Sequence, residues 1–252
     1  MSSAAWSYDA IADVYATDMG QSMPFDDVGW YRQLAIAQGG TTVELGCGTG
    51  RILNELLAAG IDAIGVDRSL PMLRRLRLDA LSRGLAPSLV QMDLRGLALR
   101  GTFSTILLPY SLITYVTDNV TAAAVIGQLR EHLAPGGVLV LDAFIPQPVS
   151  SFSDFRLDYR RPHGDGALER HKRITANSDG SNRIERRYCL LDASGHPLQE
   201  FTTDETIRPY APAQLVALGQ RAGLQVRHVA WNYGQLPDET GARFASVVLA
   251  AA

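Results

Sequence analysis

The stretch Thr42-Val43-Glu44-Leu45-Gly46-Cys47-Gly48-Thr49-Gly50-Arg51 restricts the folds open to this 252-residue chain more than any other segment. The β-branched, apolar run from Thr41 to Leu45 predicts a short strand ending beside an acid. Three alternate glycines then let the backbone turn tightly toward a ligand. Ile52, Leu53, Leu56 and Leu57 follow at helical spacing, predicting a helix over 52–59 closed by Gly60. Strand, glycine turn and helix in that order open a nucleotide-binding βαβ unit.

The glycine spacing selects the ligand. A dinucleotide fingerprint requires G-x-G-x-x-G, with the pyrophosphate on the helix N-terminus. Here the third glycine is Gly50 and position 51 is Arg, so the pattern is G-x-G-x-G. Glu44 stands just before the loop, where its charge repels a pyrophosphate but pairs with an ammonium group. A nucleoside carrying an amino acid fits both features better than NAD does.

With these residues the chain resembles the class I S-adenosylmethionine-dependent methyltransferases, whose first motif reads acid-x-G-x-G-x-G. Glu44-Leu45-Gly46-Cys47-Gly48-Thr49-Gly50 matches it. Val66-Asp67, Gln91-Met92-Asp93-Leu94 and Leu133-Ala134-Pro135-Gly136-Gly137 follow in the family's order, so four motifs stand in register between Val43 and Asp142. The resemblance implies S-adenosylmethionine as cofactor and S-adenosylhomocysteine as product. It implies cofactor contacts from Tyr15, Glu44, Gly46, Cys47, Gly48, Asp67, Arg68, Met72, Asp93, Leu94 and Pro109.

Individual roles follow from chemistry. Asp67, at the end of a strand predicted over 61–67, can accept both ribose hydroxyls; an acid there can also cap the next helix, although Ser69 is the better cap. Met72 is a soft apolar residue able to pack on an adenine face, or ordinary core. By resemblance, the Asp93 carboxylate accepts from the adenine amino group and Leu94 packs on the ring. Tyr8-Asp9-Ala10-Ile11-Ala12-Asp13-Val14-Tyr15 resembles the family's leading helix, which lies across the cofactor pocket; Ser7 is its expected cap. Ser111-Leu112-Ile113-Thr114-Tyr115 resembles a stretch found in sugar-amine relatives, with Tyr115 in place of His, making Tyr115 and Tyr15 the candidate positioning residues. No Asn/Asp-Pro-Pro-aromatic signature follows the fourth strand, which argues against nucleic-acid adenine as substrate.

Composition narrows the class. Net charge is −3, so a dedicated nucleic-acid surface is not expected. Cys47 and Cys189 are the only cysteines, with no metal-ligand spacing and no disulfide framework. Neither a signal-peptide core nor a run of transmembrane length occurs. The expectation is a cytoplasmic protein with a small-molecule acceptor, no metal and no membrane or nucleic-acid partner; a homodimer is compatible with it.

Further along, a basic helix is predicted over 73–83, strands over 88–92 and 105–108, a helix over 119–132, and a Pro135-Gly136-Gly137 turn into a strand over 138–142. From 145 to 208 helical periodicity disappears. Alternating runs at 168–175, 183–191 and 198–208, separated by Asn177-Ser178-Asp179-Gly180 and Asp192-Ala193-Ser194-Gly195, predict antiparallel hairpins. Ten Arg or Lys and ten Asp or Glu between 151 and 208 balance locally, as on a solvated face. A helix over 213–222 and strands over 224–231 and 244–250 close the chain.

The expected fold is a doubly wound, Rossmann-like seven-stranded sheet of order 3-2-1-4-5-7-6, last strand antiparallel, with an inserted antiparallel β platform. The expected domains are an N-terminal helical cap over 1–40, a cofactor-binding core over 41–145 and 208–252, and a platform over 146–207 covering the substrate pocket. The expected activity is methyl transfer to an amine or hydroxyl of a sugar, amino acid or secondary metabolite. A non-catalytic cofactor-binding scaffold and an NAD-dependent oxidoreductase are the rival readings.

Overall fold

A computed structural model describes residues 7–19 and 25–251. The helices are α1 (Tyr15–Met19), α2 (Asp27–Gln38), α3 (Leu53–Ala58), α4 (Leu70–Ser82), α5 (Asn119–Glu131) and α6 (Pro212–Arg221). The strands are β1 (Thr42–Leu45), β2 (Ala63–Asp67), β3 (Ser88–Gln91), β4 (Phe103–Leu108), β5 (Leu133–Phe144), β6 (Phe152–His163), β7 (Gly166–Ala176), β8 (Asn182–Leu191), β9 (Pro197–Ile207), β10 (Leu224–Trp231) and β11 (Phe244–Ala251). They divide into two compact units, one drawn from 1–24 and 147–208, the other from 25–146 and 209–252. Among the described residues no helix is long and apolar enough to cross a membrane.

The larger unit is a seven-stranded sheet of order β10-β11-β5-β4-β1-β2-β3, with β11 antiparallel to both its neighbours. This is the expected 3-2-1-4-5-7-6 arrangement. The parallel centre is buried on both faces: all four residues of β1 are buried, with Thr42 and Glu44 on one face, while Val43, Leu45, Ile106, Leu108, Leu139 and Leu141 on the other belong to one core cluster. Each such side chain contributes about 1.5–3 kcal/mol by leaving water.

Local signals set the helix ends. The Asp26 side chain accepts from Gly29 N and so starts α2 at Asp27, and Gly39 at φ 63° stops it. Ser69 caps α4 through Met72 N at 3.3 Å, and Pro71 in the first turn extends that helix back to Leu70. The Pro135-Gly136-Gly137 turn is instead absorbed into β5 as an irregularity opposite Phe103 and Thr105.

The smaller unit holds the four-stranded antiparallel sheet β6-β7-β8-β9. Sequence periodicity predicts three of these strands. It misses β6, whose apolar residues are interrupted by charges. Ser7 does not cap a helix; it opens a 3-10 turn, and its hydroxyl donates to Asp204 O and accepts from Asp204 N, both at 3.1 Å. Asp18 on α1, 4 % exposed, accepts from Tyr159 OH and from Arg170 Nη1 at 2.5 Å, while Arg170 also holds Asp158 at 2.6 Å. Arg161 donates to the carbonyls of Thr17 and Asp18, so α1 is tied to this sheet by charge and backbone alike. Residues 1–6 and 20–24 of the expected cap lie outside the described residues.

Candidate active site

The glycine loop connects β1 to α3 in the larger unit. Gly46, Gly48 and Gly50 have φ of 68°, 54° and 89°, a region that L side chains rarely adopt. Space is short as well. A Cβ on Gly46 would lie 2.7 Å from the Leu112 side chain, and one on Gly50 2.6 Å from that of Leu76. The loop is therefore bare backbone packed between the segment after β4 and helix α4.

Asp67 ends β2 next to this loop. Its Oδ2 accepts from Gly48 N and its Oδ1 from Ser69 N, each at 2.8 Å. The half-buried carboxylate thus ties the glycine loop to the start of α4. At the end of β3, Asp93 is gripped by Arg95 at 3.0 and 2.7 Å and faces Arg68 at 3.5 Å. The Arg95 hydrogen bonds lower its pKa to about 2, against a smaller opposing effect of burial, and keep it an acceptor. Leu94 opens a 3-10 turn capped by Asp93.

Glu44 is 2 % exposed, and its Oε2 has no hydrogen-bond partner among the described residues. Burial raises its pKa to about 8; Arg51 opposes this, and Asp67 and Asp27 add to it. A buried acid with an unpartnered oxygen beside a bare-backbone loop is suited to an incoming ammonium group. Burial, reinforced by Glu44 and Asp67, also pushes the Cys47 thiol well above its ordinary range. Cys47 is 4 % exposed and lies within the packed core.

The remaining candidates fall in different places. Met72 is 1 % exposed and sits in the core face of α4. Pro109 is buried at the end of β4, and Tyr115 is half-buried at the end of the 3-10 turn Leu112–Tyr115. Tyr15 belongs to the smaller unit, its ring edge-on to Tyr8 at 5.8 Å. Among the described residues, no group of three His, Cys, Asp or Glu is arranged to hold a metal.

Several neighbours escape sequence reading. Arg51, directly after the loop, binds Asp27 of α2 in a fork at 2.7 and 2.5 Å. Tyr110 and Ser111, after Pro109, are non-glycine residues at φ 53° and 58°. Asp142 near the end of β5 is fully buried and accepts from Tyr31 OH, Tyr110 N and Tyr233 OH. An acid closing an otherwise apolar strand, Val138 to Asp142, is the one sequence mark such a hub leaves.

A family described as a methyltransferase domain matches residues 43–137, the span from β1 through the turn that precedes the apolar half of β5. The match begins at the strand that carries Glu44 and contains Asp67, Asp93 and the glycine loop. Residues 43–137 carry a methyltransferase domain. The cypemycin N-terminal methyltransferase of Streptomyces sp is 25 % identical to this methyltransferase over 249 residues, covering 96 % of this chain and 94 % of the relative. The dTDP-3-amino-3,4,6-trideoxy-alpha-D-glucopyranose N,N-dimethyltransferase of Streptomyces venezuelae is 25 % identical over 188 residues, covering 74 % and 76 %. The solved structure of the CcbJ methyltransferase from Streptomyces caelestis shares the fold, with a TM-score of 0.81 at 22 % identity over 98 % of both chains.

S-adenosylmethionine is the cofactor that the motif resemblance implies for this domain. The site has features that suit it: the loop presents bare glycine backbone, and the buried Glu44 carboxyl beside it keeps an unpartnered oxygen. When bound, the cofactor supplies an electrophilic methyl on sulfur. The chain's own residues hold, orient and desolvate, and proximity is the main catalytic contribution.

Proposed function

We propose that this methyltransferase transfers its methyl group to nitrogen, on an amine of a small molecule such as an amino sugar, an amino acid or another secondary metabolite. The observation that carries the reading is that both relatives, one matching almost the whole chain, are named for methylation of an amino group. A neutral amine attacks without a strong base at the acceptor. That agrees with a β4 edge where Tyr115 is the titratable candidate and offers orientation more than deprotonation. In this reading Asp67 holds the ribose, Asp93 and Leu94 the adenine, Glu44 the ammonium, and Tyr115 the acceptor.

The test is incubation of purified protein and S-adenosylmethionine with a panel holding an amino-sugar nucleotide, a peptide with a free N-terminus, a free amino acid and a phenol. Mass spectrometry reads methyl gain. Methylated amines, with the signal lost in Asp67→Ala, are expected. Methylation of the phenol alone would overturn the nitrogen assignment.

A further inference from the structure

The end of β5 carries a buried group that neither cofactor binding nor acceptor chemistry accounts for. Asp142 is 0 % exposed, and its Oδ2 alone receives three donors: Tyr31 OH from α2, Tyr233 OH at 2.9 Å and the backbone N–H of Tyr110 at 2.9 Å. Three donors on one oxygen require full negative charge to be worthwhile. Burial raises the Asp142 pKa to about 6, with the Tyr31, Ser246, Tyr110 and Tyr233 hydrogen bonds opposing, so the group is ionised at neutral pH. Both phenols are pushed well above their ordinary range, first by burial, and stay donors.

What Asp142 holds is unusual backbone. Tyr110 and Ser111 are consecutive non-glycine residues in the left-handed region, a conformation that persists only when its surroundings over-determine it. The surroundings do so from β5 at two points, because Ser111 Oγ accepts from Phe144 N at 2.8 Å while Asp142 accepts from Tyr110 N. The turn delivers Leu112–Tyr115, and Leu112 is the side chain a Cβ on Gly46 would strike at 2.7 Å. Asp142 is thus linked through one turn to the wall of the cofactor loop.

A second left-handed pair, Asn232 and Tyr233, brings the Tyr233 hydroxyl to the same oxygen, and Asn232 Oδ1 fixes it by accepting from Arg243 N and Phe244 N at 2.9 and 3.0 Å. Helix α2 closes the circuit. One turn before Tyr31 it carries Asp27, which grips Arg51 beside the glycine loop. One helix therefore braces the cofactor loop at one point and the turn after β4 at another.

We propose that Asp142 is a positioning residue for methyl transfer: its carboxylate fixes the left-handed turn Tyr110–Ser111, and so sets the segment Leu112–Tyr115 against the cofactor loop. The chemistry being positioned is the amine methylation of the preceding section, on which this role rests; the placement itself does not depend on the acceptor's identity.

Asp142→Asn keeps the shape and removes the charge. Tyr31→Phe removes one donor, keeps the ring, and carries the same test should Asp142→Asn fail to fold. In both, hydrogen exchange over 109–116 is expected to quicken at least about tenfold while exchange over 63–67 on β2 stays unchanged. Calorimetric affinity for S-adenosylhomocysteine stays within about threefold, and kcat on the amine turned over by the wild type falls at least about tenfold. Exchange that is unchanged at 109–116, or equally faster at 63–67, would reduce Asp142 to a general stabiliser and overturn the proposal. If the wild type binds S-adenosylhomocysteine but methylates no amine, the acceptor reading fails, and the exchange measurement still decides the role of Asp142.

Discussion

Arg51 and Asp27 face each other in a two-pronged pair, Nη1 to Oδ1 at 2.7 Å and Nη2 to Oδ2 at 2.5 Å, with the Asp27 side chain 3 % exposed. The pair locks the start of α2 to the first residue beyond the glycine loop. Burial works against the Arg51 charge, but Asp27 outweighs it and raises the guanidinium pKa. Arg51→Ala would leave Asp27 buried and uncompensated, at a cost of about 3 kcal/mol. Chemical denaturation is expected to show that loss. Arg51→Lys should recover only part of it, since an ammonium cannot reproduce the fork.

Asp67 is the contact whose removal should be felt most directly by the cofactor. Asp67→Ala deletes an acceptor bound to the loop through Gly48 N and to α4 through Ser69 N. Affinity for S-adenosylmethionine should fall by at least about a hundredfold, the equivalent of roughly two charge-assisted hydrogen bonds. Isothermal titration measures it, and retention of wild-type affinity would remove Asp67 from the ribose role.

Glu44 predicts a proton linkage whose sign is fixed. Its folded pKa, about 8, lies above the ordinary carboxyl value, so the stabilisation it gives the unliganded fold is full below the unfolded pKa and is lost as pH rises through about 8. Asp142, raised to about 6, loses its contribution in a lower window. Melting of the unliganded protein should therefore move down between pH 6 and 8, and Glu44→Gln should flatten that part of the curve. Pairing with the ammonium requires ionised Glu44, so cofactor binding should release a proton near pH 7. Titration in buffers of different ionisation enthalpy reads that proton, and a heat independent of buffer would contradict it.

Gly46→Ala tests the close approach at the loop. The new methyl would press on Leu112 at 2.7 Å, at a residue whose φ is 68°. A destabilisation of about 1–3 kcal/mol is expected, together with weakened cofactor binding, because the glycine loop itself must shift to admit the methyl. Gly60→Ala is the control: its φ is similar, 76°, but nothing lies within 4 Å of a Cβ there.

In the smaller unit, Asp18→Ala strips one of two carboxylates from Arg170, which keeps Asp158, and leaves the Tyr159 hydroxyl without this acceptor. The loss should be about 1–3 kcal/mol, the cost of leaving buried hydrogen-bonding groups unsatisfied. Proteolysis is expected to cut near α1 faster in the variant, with the seven-stranded unit intact.

The parts of the fold that sequence discloses are those where local chemistry and tertiary demand agree. β1, the glycine loop and α3 follow from β-branching, alternate glycines and a helical stripe, and the sheet order follows from the strand–helix alternation. β6 is hidden because Phe152–His163 mixes aromatic and charged residues, and its pairing with β7 supplies what its own pattern lacks. The start of α2 at Asp27 is set by the Asp26 side chain accepting from Gly29 N, a cap that apolar periodicity does not reveal. For the site, the structure brings Glu44, Gly46, Gly48, Asp67 and Asp93 to the carboxyl edge of neighbouring strands β1, β2 and β3. Tyr110 and Ser111 carry no sequence mark of left-handed backbone, because that conformation is imposed by Asp142 and Phe144 more than thirty positions away.

The pairing of β5 with β11 sets Phe144 opposite Phe244, one hundred positions apart, with the whole four-stranded sheet encoded between them. During synthesis, β5 can find β4 at once but must wait for β11 until the intervening strands have emerged. For that interval its outer edge, with the apolar run from Val138 to Leu141, is an open template for mispairing. The growing chain thus has an aggregation-prone stage written into its strand order, and its yield in a cell should depend on translation speed and chaperone supply in a way that the finished protein's stability would not reveal.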